Sequence, residues 1–205
     1  MNRPLTRSCS AAHGRVPRRA AALIASVCAA GLLAGCMPLA ITGMATGALV
    51  ASDRRTLGAQ TEDQGIELKG NTALAEKLPA AKGVSITSYN RKVLLTGQVP
   101  DADTKARAAR LVGELPNVRS VQNEITVAAR TGVGSYASDV GLTTRVKTAM
   151  IGVKDLPADN VKVVTEAGVV YLMGLVSRAE GDLAAKTAAR VSGVTRVVTV
   201  FEYLP

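Results

Sequence analysis

With 205 residues, 47% of them hydrophobic and 20% charged, the chain is long enough for one or two small globular domains, and its formal charge of +9 invites a nucleic-acid reading. The distribution of that charge excludes it. Arg3, Arg7, Arg15, Arg18 and Arg19 all lie in the first 35 residues with no acidic residue among them, so the rest of the chain carries only +4, and the lack of Trp and the single Phe leave few platforms on which bases stack.

In chain order, the basic stretch is followed by an apolar run from Ala20 to Ala34. At about 15 residues the run is shorter than the roughly 20 that a membrane-spanning helix needs, and its charged-then-apolar order is that of an export signal, residues 1–35. Cys9, Cys28 and His13 fall inside that signal, so beyond it the chain keeps one cysteine, Cys36, and no histidine. An intramolecular disulfide is then impossible, and a Ser-His-Asp triad, a Cys-His pair and a zinc site all lack their components. No paired carboxylates, Lys, Tyr or Ser stand out in their place. The expectation is a chain with no catalytic residue, no metal and no cofactor.

Leu33-Ala34-Gly35-Cys36 closes the apolar run and resembles the lipobox of bacterial lipoproteins. That resemblance implies diacylglycerol on the Cys36 thiol, cleavage before it and acylation of the new amine. Several acyl chains hold a protein on a bilayer stably, where one is marginal. Residue 37 is Met, not the Asp that marks retention at the inner membrane, which implies the outer membrane, periplasmic side. Residues 36–60 are expected to be a lipidated tether. Its apolar part, Met37 to Ala51, has two readings, a segment lying on the bilayer or a flexible spacer.

The remainder is an internal repeat. Val84-Ser85-Ile86-Thr87 and Val93 to Val99 correspond to Val161-Lys162-Val163-Val164 and Val169 to Val176, with 13 residues from the first valine to Gly97 or Gly174 in both copies. Each apolar run reads as a strand, with Asn90-Arg91 or Ala167-Gly168 as the hairpin turn. The glycines have two readings, a tight strand-to-helix turn, which is preferred, or a ligand loop. Helices are predicted at Asp101–Leu115 and Arg178–Ser192, the second opened by the capping-box pattern Ser177-x-x-Glu180. Third strands are predicted at Val118–Val127 and Val194–Tyr203, and helices ahead of the hairpins at Ile66–Leu78 and Leu142–Val153. The predicted fold class is α+β: two tandem units, 61–128 and 138–205, joined by a linker at 129–137, each α-β-β-α-β with its helices on a three-stranded mixed sheet. Tyr89, Tyr136, Tyr171 and Tyr203 are scattered and read as core or rim residues.

The strand ends Val-Leu-Leu-x-Gly and Val-x-Leu-x-Gly, with the closing Gly193-Val-x-x-Val197, resemble the BON domain. Together with the lipobox and Asp53-Arg54-Arg55-Thr56-Leu57-Gly58, the chain resembles the dual-BON outer-membrane lipoproteins of Gram-negative bacteria. The resemblance implies binding of an anionic phospholipid membrane and a role in outer-membrane integrity.

The helix from Leu142 is the candidate contact element. At about 100° per residue, Leu142, Val146, Ala149, Met150 and Val153 share the arc expected to face the sheet, and Thr144, Lys147, Thr148 and Ile151 lie opposite. Between Thr143 and Val153 the only charges are Arg145 and Lys147, whereas the matching helix of the first copy sets Glu67 and Glu76 against Lys69 and Lys77. The candidate lipid-binding residues are therefore Gly141, Leu142, Thr144, Arg145, Lys147, Thr148 and Ile151, with Gly141 standing where relatives often place a bulky aromatic. The rival expectation is an envelope adaptor that binds a protein partner through the sheet faces of its BON domains, indifferent to lipid headgroups.

Overall fold

The computed structural model describes residues 53–128 and 134–205, with the side chains of 134–137 left out. The signal, Cys36, the apolar segment 37–51, most of the linker and the Tyr136 side chain therefore lie outside the described residues.

The first copy opens with helix α1, Leu57–Lys77, whose free amide at Ala59 is capped by the Thr56 hydroxyl at 3.1 Å. The helix begins nine residues ahead of the predicted Ile66. Its first turns carry no apolar stripe, and the group they bury is a carboxylate, Asp63, which no hydrophobic pattern reveals. Residues 57–60, assigned from the sequence to the tether, belong to this helix. Strands β1 (Val84–Tyr89) and β2 (Lys92–Val99) form an antiparallel hairpin. Asn90 and Arg91 both have positive φ, 51° and 65°, the two-residue turn whose twist suits a hairpin. Helix α2, Ala102–Gly113, is capped by Asp101.

The third strand of this copy is split. β3 (Ser120–Asn123) and β4 (Thr126–Val127) both run parallel to β2, and between them Ile125 turns into the core, its amide donating to Asn123 Oδ1. The second copy repeats the plan without the break. It comprises α3 (Gly134–Ile151), β5 (Val161–Glu166), β6 (Val169–Val176), α4 (Arg178–Ala189) and β7 (Arg196–Tyr203), with β5 antiparallel and β7 parallel to β6. Ser177 and Glu180 form the expected capping box.

Gly97 and Gly174 sit within β2 and β6, opposite the first residues of β1 and β5. A Cβ on Gly174 would lie 2.5 Å from the Asn160 carbonyl, and one on Gly97 would strike the Gly83 carbonyl. Their role is close backbone approach at the strand start, which differs from both the turn and the ligand-loop readings.

Each copy has its own core between helices and sheet, and a third cluster joins the copies. Along β6, Val170 and Leu172 point to the helices of their own domain while Tyr171 and Met173 point away, into a cluster with Val200, Tyr89 and Leu94. The helix-free faces of the two sheets thus cover each other. Burial on both faces explains why β6 reads as an unbroken apolar run instead of an alternating one. Tyr89 and Tyr171 are interdomain residues, and the Tyr89 hydroxyl donates to the Asn160 carbonyl across the junction.

Residues 53–56 fasten this arrangement. Arg55 bonds Asp53 and Asp63, while Arg54 makes a bidentate pair with Glu180 at 2.7 and 2.8 Å and also reaches the Leu175 carbonyl. The Arg54 hydrogen bonds, followed by the Ser177 amide, outweigh the effect of burial and hold the Glu180 carboxyl at about 2 against its ordinary 4.5. A depressed carboxyl stabilises the fold above its unfolded value and loses that contribution as pH falls towards the folded one. Thermal melts are expected to drop between pH 4.5 and 2, and Glu180→Gln is expected to flatten the drop in that window. An unchanged pH profile in the variant would show that this pair does not couple the domains.

Candidate functional site

Helix α3 buries Asp139, Leu142, Val146 and Met150 at three- and four-residue spacing, which commits one face to the second domain's core. Leu142, named from the sequence as a candidate contact, is only 2% exposed. It orients the helix from inside and is out of reach of a ligand on the outer face. Ala149, expected on the buried arc, is exposed, because that arc is centred nearer Val146 and Ala149 lies at its edge.

The opposite face carries Val140, Thr144, Lys147, Thr148 and Ile151, all exposed, with Gly141 half-buried beside them. Val140 is 51% and Ile151 72% exposed. They stand eleven residues apart, about 16 Å along the helix, and within about 20° of each other around it. Thr144, between them, turns its hydroxyl back onto the Val140 carbonyl at 3.0 Å. That donor is satisfied inside the helix, so burying Thr144 against an apolar phase carries little polar penalty. Val140 was not among the sequence candidates. The repeat at 140, 144, 147 and 151 was legible, but the predicted helix began at 142.

The two cations of this face flank its apolar strip from opposite sides. Arg145 leans over the end of the second domain, its Nη2 3.5 Å from the Ser192 carbonyl and close against Gly193, where a Cβ would sit 3.2 Å away. Lys147 is exposed on the other flank. Among the described residues neither forms a salt bridge. The corresponding helix α1 also exposes leucines, Leu57 and Leu68, but it carries acids as well: Glu76 is exposed beside Lys77, and two others are engaged. Glu62 lies 3.4 Å from Arg91, and Glu67 pairs with Lys162 at 3.1 Å while accepting from the Ser88 amide.

A second device was missed in the sequence. Asp63 accepts from the Asn90 and Arg91 amides of the hairpin turn, from Ser88 Oγ at 2.6 Å and from Arg55. Asp139 accepts from the Ala167 and Gly168 amides of the equivalent turn. One helix carboxylate thus clamps the hairpin in each copy. The signal was the recurrence of Asp at nearly the same distance from the turn, 27 residues before Asn90 and 28 before Ala167. Among the described residues no group of three or more His, Cys, Asp and Glu could hold a metal, and no helix is long and apolar enough to cross a membrane.

Comparison with known proteins agrees with the repeat. Residues 62–129 and 138–205 each match the BON domain. The chain is 39% identical over 174 residues, 84% of its length and 90% of the relative's, to the outer membrane lipoprotein DolP of Haemophilus influenzae. It is 34% identical to a 21 kDa hemolysin of Actinobacillus pleuropneumoniae, covering 74% of this chain and 79% of that one. It is 29% identical to the osmotically-inducible protein Y of Escherichia coli, covering 76% and 80%. The chain belongs to the BON family, as a two-domain outer-membrane lipoprotein.

Proposed function

We propose that the protein, anchored through lipid on Cys36 to the periplasmic side of the outer membrane, lays helix α3 of its second domain on anionic phospholipid and thereby supports the integrity of that membrane. The observation that carries this reading is the outer face of α3, where Val140, Thr144 and Ile151 form an apolar strip between Arg145 and Lys147. Apolar tips enter the acyl boundary while the cations meet lipid phosphate, the arrangement of a helix lying in the interface plane. The first domain serves as scaffold, fastened to the second through the sheet faces and the Arg54–Glu180 pair.

The adaptor reading loses its proposed surface, because the sheet faces on which a partner was to dock pack against each other. An enzymatic role is not assigned, since beyond the export signal the chain offers neither histidine nor a second cysteine. Sedimentation with vesicles separates the two readings. The unacylated chain 37–205 is expected to bind vesicles containing phosphatidylglycerol and to release them as salt rises, whereas an adaptor ignores headgroup charge.

The anchor has its own test. Cys36→Ala is expected to abolish incorporation of labelled fatty acid and to leave an unprocessed precursor. Label persisting in the variant would refute Cys36 as the acylated residue.

A further inference from the structure

The outer edges of the two sheets are not protected alike. An edge strand offers unpaired amides and carbonyls on which another chain can pair, and folds blunt such an edge with short or broken strands and with charged side chains. On β1 both outward groups of Ser88 are taken, the amide by the Glu67 carboxylate at 2.8 Å and the carbonyl by Lys162 at 3.3 Å. The third strand of the first copy is broken between β3 and β4. Its counterpart β7 is unbroken over eight residues, and among the described residues it pairs with β6 alone.

Two hydrogen bonds show which groups of β7 face outward. Leu204 donates its amide to the Val176 carbonyl at 2.9 Å. Backbone groups alternate in direction along a strand, so Val198, Val200 and Glu202 also bond β6, and Val197, Thr199 and Phe201 turn to the edge. The Phe201 carbonyl has that phase, because it accepts from Lys92 Nζ of the first domain at 3.0 Å. Lys92 closes that end of the edge. At the other end the outward amides and carbonyls of Val197 and Thr199 have no partner among the described residues.

This open end borders a groove of about 420 Å³ between α4 and β7, with Ala185, Ala189, Val194 and Val197 as its apolar lining and Lys186 and Arg196 as its charges. No carboxylate lines it. Arg196 reaches Glu124 at 3.8 Å with its side chain still 61% exposed. Lys186 is exposed and forms no salt bridge among the described residues.

We propose that the open half of β7 receives an extended, acidic peptide segment of a protein partner as an added strand, with one side chain of that segment in the alanine-lined groove and its carboxylates at Lys186 and Arg196. Cations alone would serve a phosphate or a lipid headgroup equally well. The alternating free N–H and C=O groups of Val197 and Thr199 are matched by another extended backbone, the mode in which main-chain bonds give affinity and side-chain pockets give specificity. The edge is separate from the sheet faces, which cover each other, and from the outer face of α3, so the inference does not rest on the lipid reading.

The test follows the backbone amides of isotope-labelled chain 37–205 during titration with a soluble, end-blocked heptapeptide of alternating Glu and Val. The Val197 and Thr199 amides are expected to shift and to become protected from hydrogen exchange, while those of Val198 and Val200, already bonded to β6, keep their protection. A peptide of alternating Glu and Pro, equal in charge but unable to form a strand, is expected to protect neither, and a Lys and Val peptide to bind more weakly than the acidic one. Thr199→Pro removes an amide that the sheet does not use, which an edge strand tolerates, and should abolish the protection. Lys186→Glu leaves the backbone untouched and should weaken acidic-peptide binding about fivefold, the scale of reversing one surface charge. No shift with the acidic peptide, equal effects from the Glu and Pro peptide or from inorganic phosphate alone, or unchanged binding by Lys186→Glu would each overturn the proposal. Protection of the same amides that grows with protein concentration in the absence of peptide would also overturn it, by giving the edge to a second copy of the chain.

Discussion

Asp63→Ala is expected to lower folding stability by about 3–5 kcal/mol, the usual cost of removing one partner from a buried charge pair, out of a total that for domains of this size is about 5–15 kcal/mol. Asp63 is 3% exposed and accepts from two turn amides, a buried hydroxyl and Arg55. Alanine strands all four donors. Arg55 keeps Asp53, but its second partner disappears beneath the Tyr89 ring, so the interdomain junction weakens along with the hairpin. Asp139→Ala is the internal comparison. It strands only the two turn amides, half the donors that Asp63→Ala strands and neither of them charged, so its loss is expected to be the smaller, about 1–3 kcal/mol, and it leaves the Arg54–Glu180 pair and the Arg55 contacts untouched. Urea unfolding followed by circular dichroism measures both, as the chain has no tryptophan to report by fluorescence. A loss for Asp63→Ala no greater than for Asp139→Ala would mean that the guanidinium and the hydroxyl add nothing to the clamp.

Much of the fold was legible because its signals are local. The hairpin turns at Asn90-Arg91 and Ala167-Gly168 and the Ser177 capping box each declare themselves within a few residues, and the repeat states the hairpin twice, whereas the Asp101 cap was read as the first helical residue and the strand glycines as turns. The start of α1 was not legible, since a buried carboxylate at Asp63 looks polar in any hydrophobic pattern. Nor was the fastening of the domains, because Arg54 and Glu180 are 126 residues apart and neither has a local mark of its partner. The facing of the two sheets was half visible. The unbroken apolar run of β6 signals burial on both sides, but not what lies on the second side. For the contact face, a helical wheel separated Lys147 and Ile151 from the core correctly. It placed Leu142 ambiguously and missed Val140, because the pattern was started at the first strongly apolar residue and the helix begins earlier, at Gly134.

The central claim is that the outer face of α3 holds anionic lipid. A basic residue near an anionic bilayer contributes on the order of 1 kcal/mol, so reversing Arg145 and Lys147 together removes two attractions and adds two repulsions, about 2–4 kcal/mol in all. Lys147 is expected to carry the larger share, because Arg145 already leans on the Ser192 carbonyl. Neither substitution touches the core, so the fold should survive. Salt should weaken the wild-type interaction, since charges at the surface are screened over about 8 Å at physiological ionic strength. The matching change in the first domain, Lys69→Glu with Lys77→Glu, alters two exposed lysines of α1 and serves as the control. The decisive measurement is sedimentation of the unacylated chain 37–205 with phosphatidylglycerol-containing vesicles, after circular dichroism has shown each variant folded. Arg145→Glu with Lys147→Glu is expected to cut binding at least tenfold and the α1 pair to change it little; equal losses in the two variants, or no loss in either, would contradict the assignment of α3 as the membrane-contact helix.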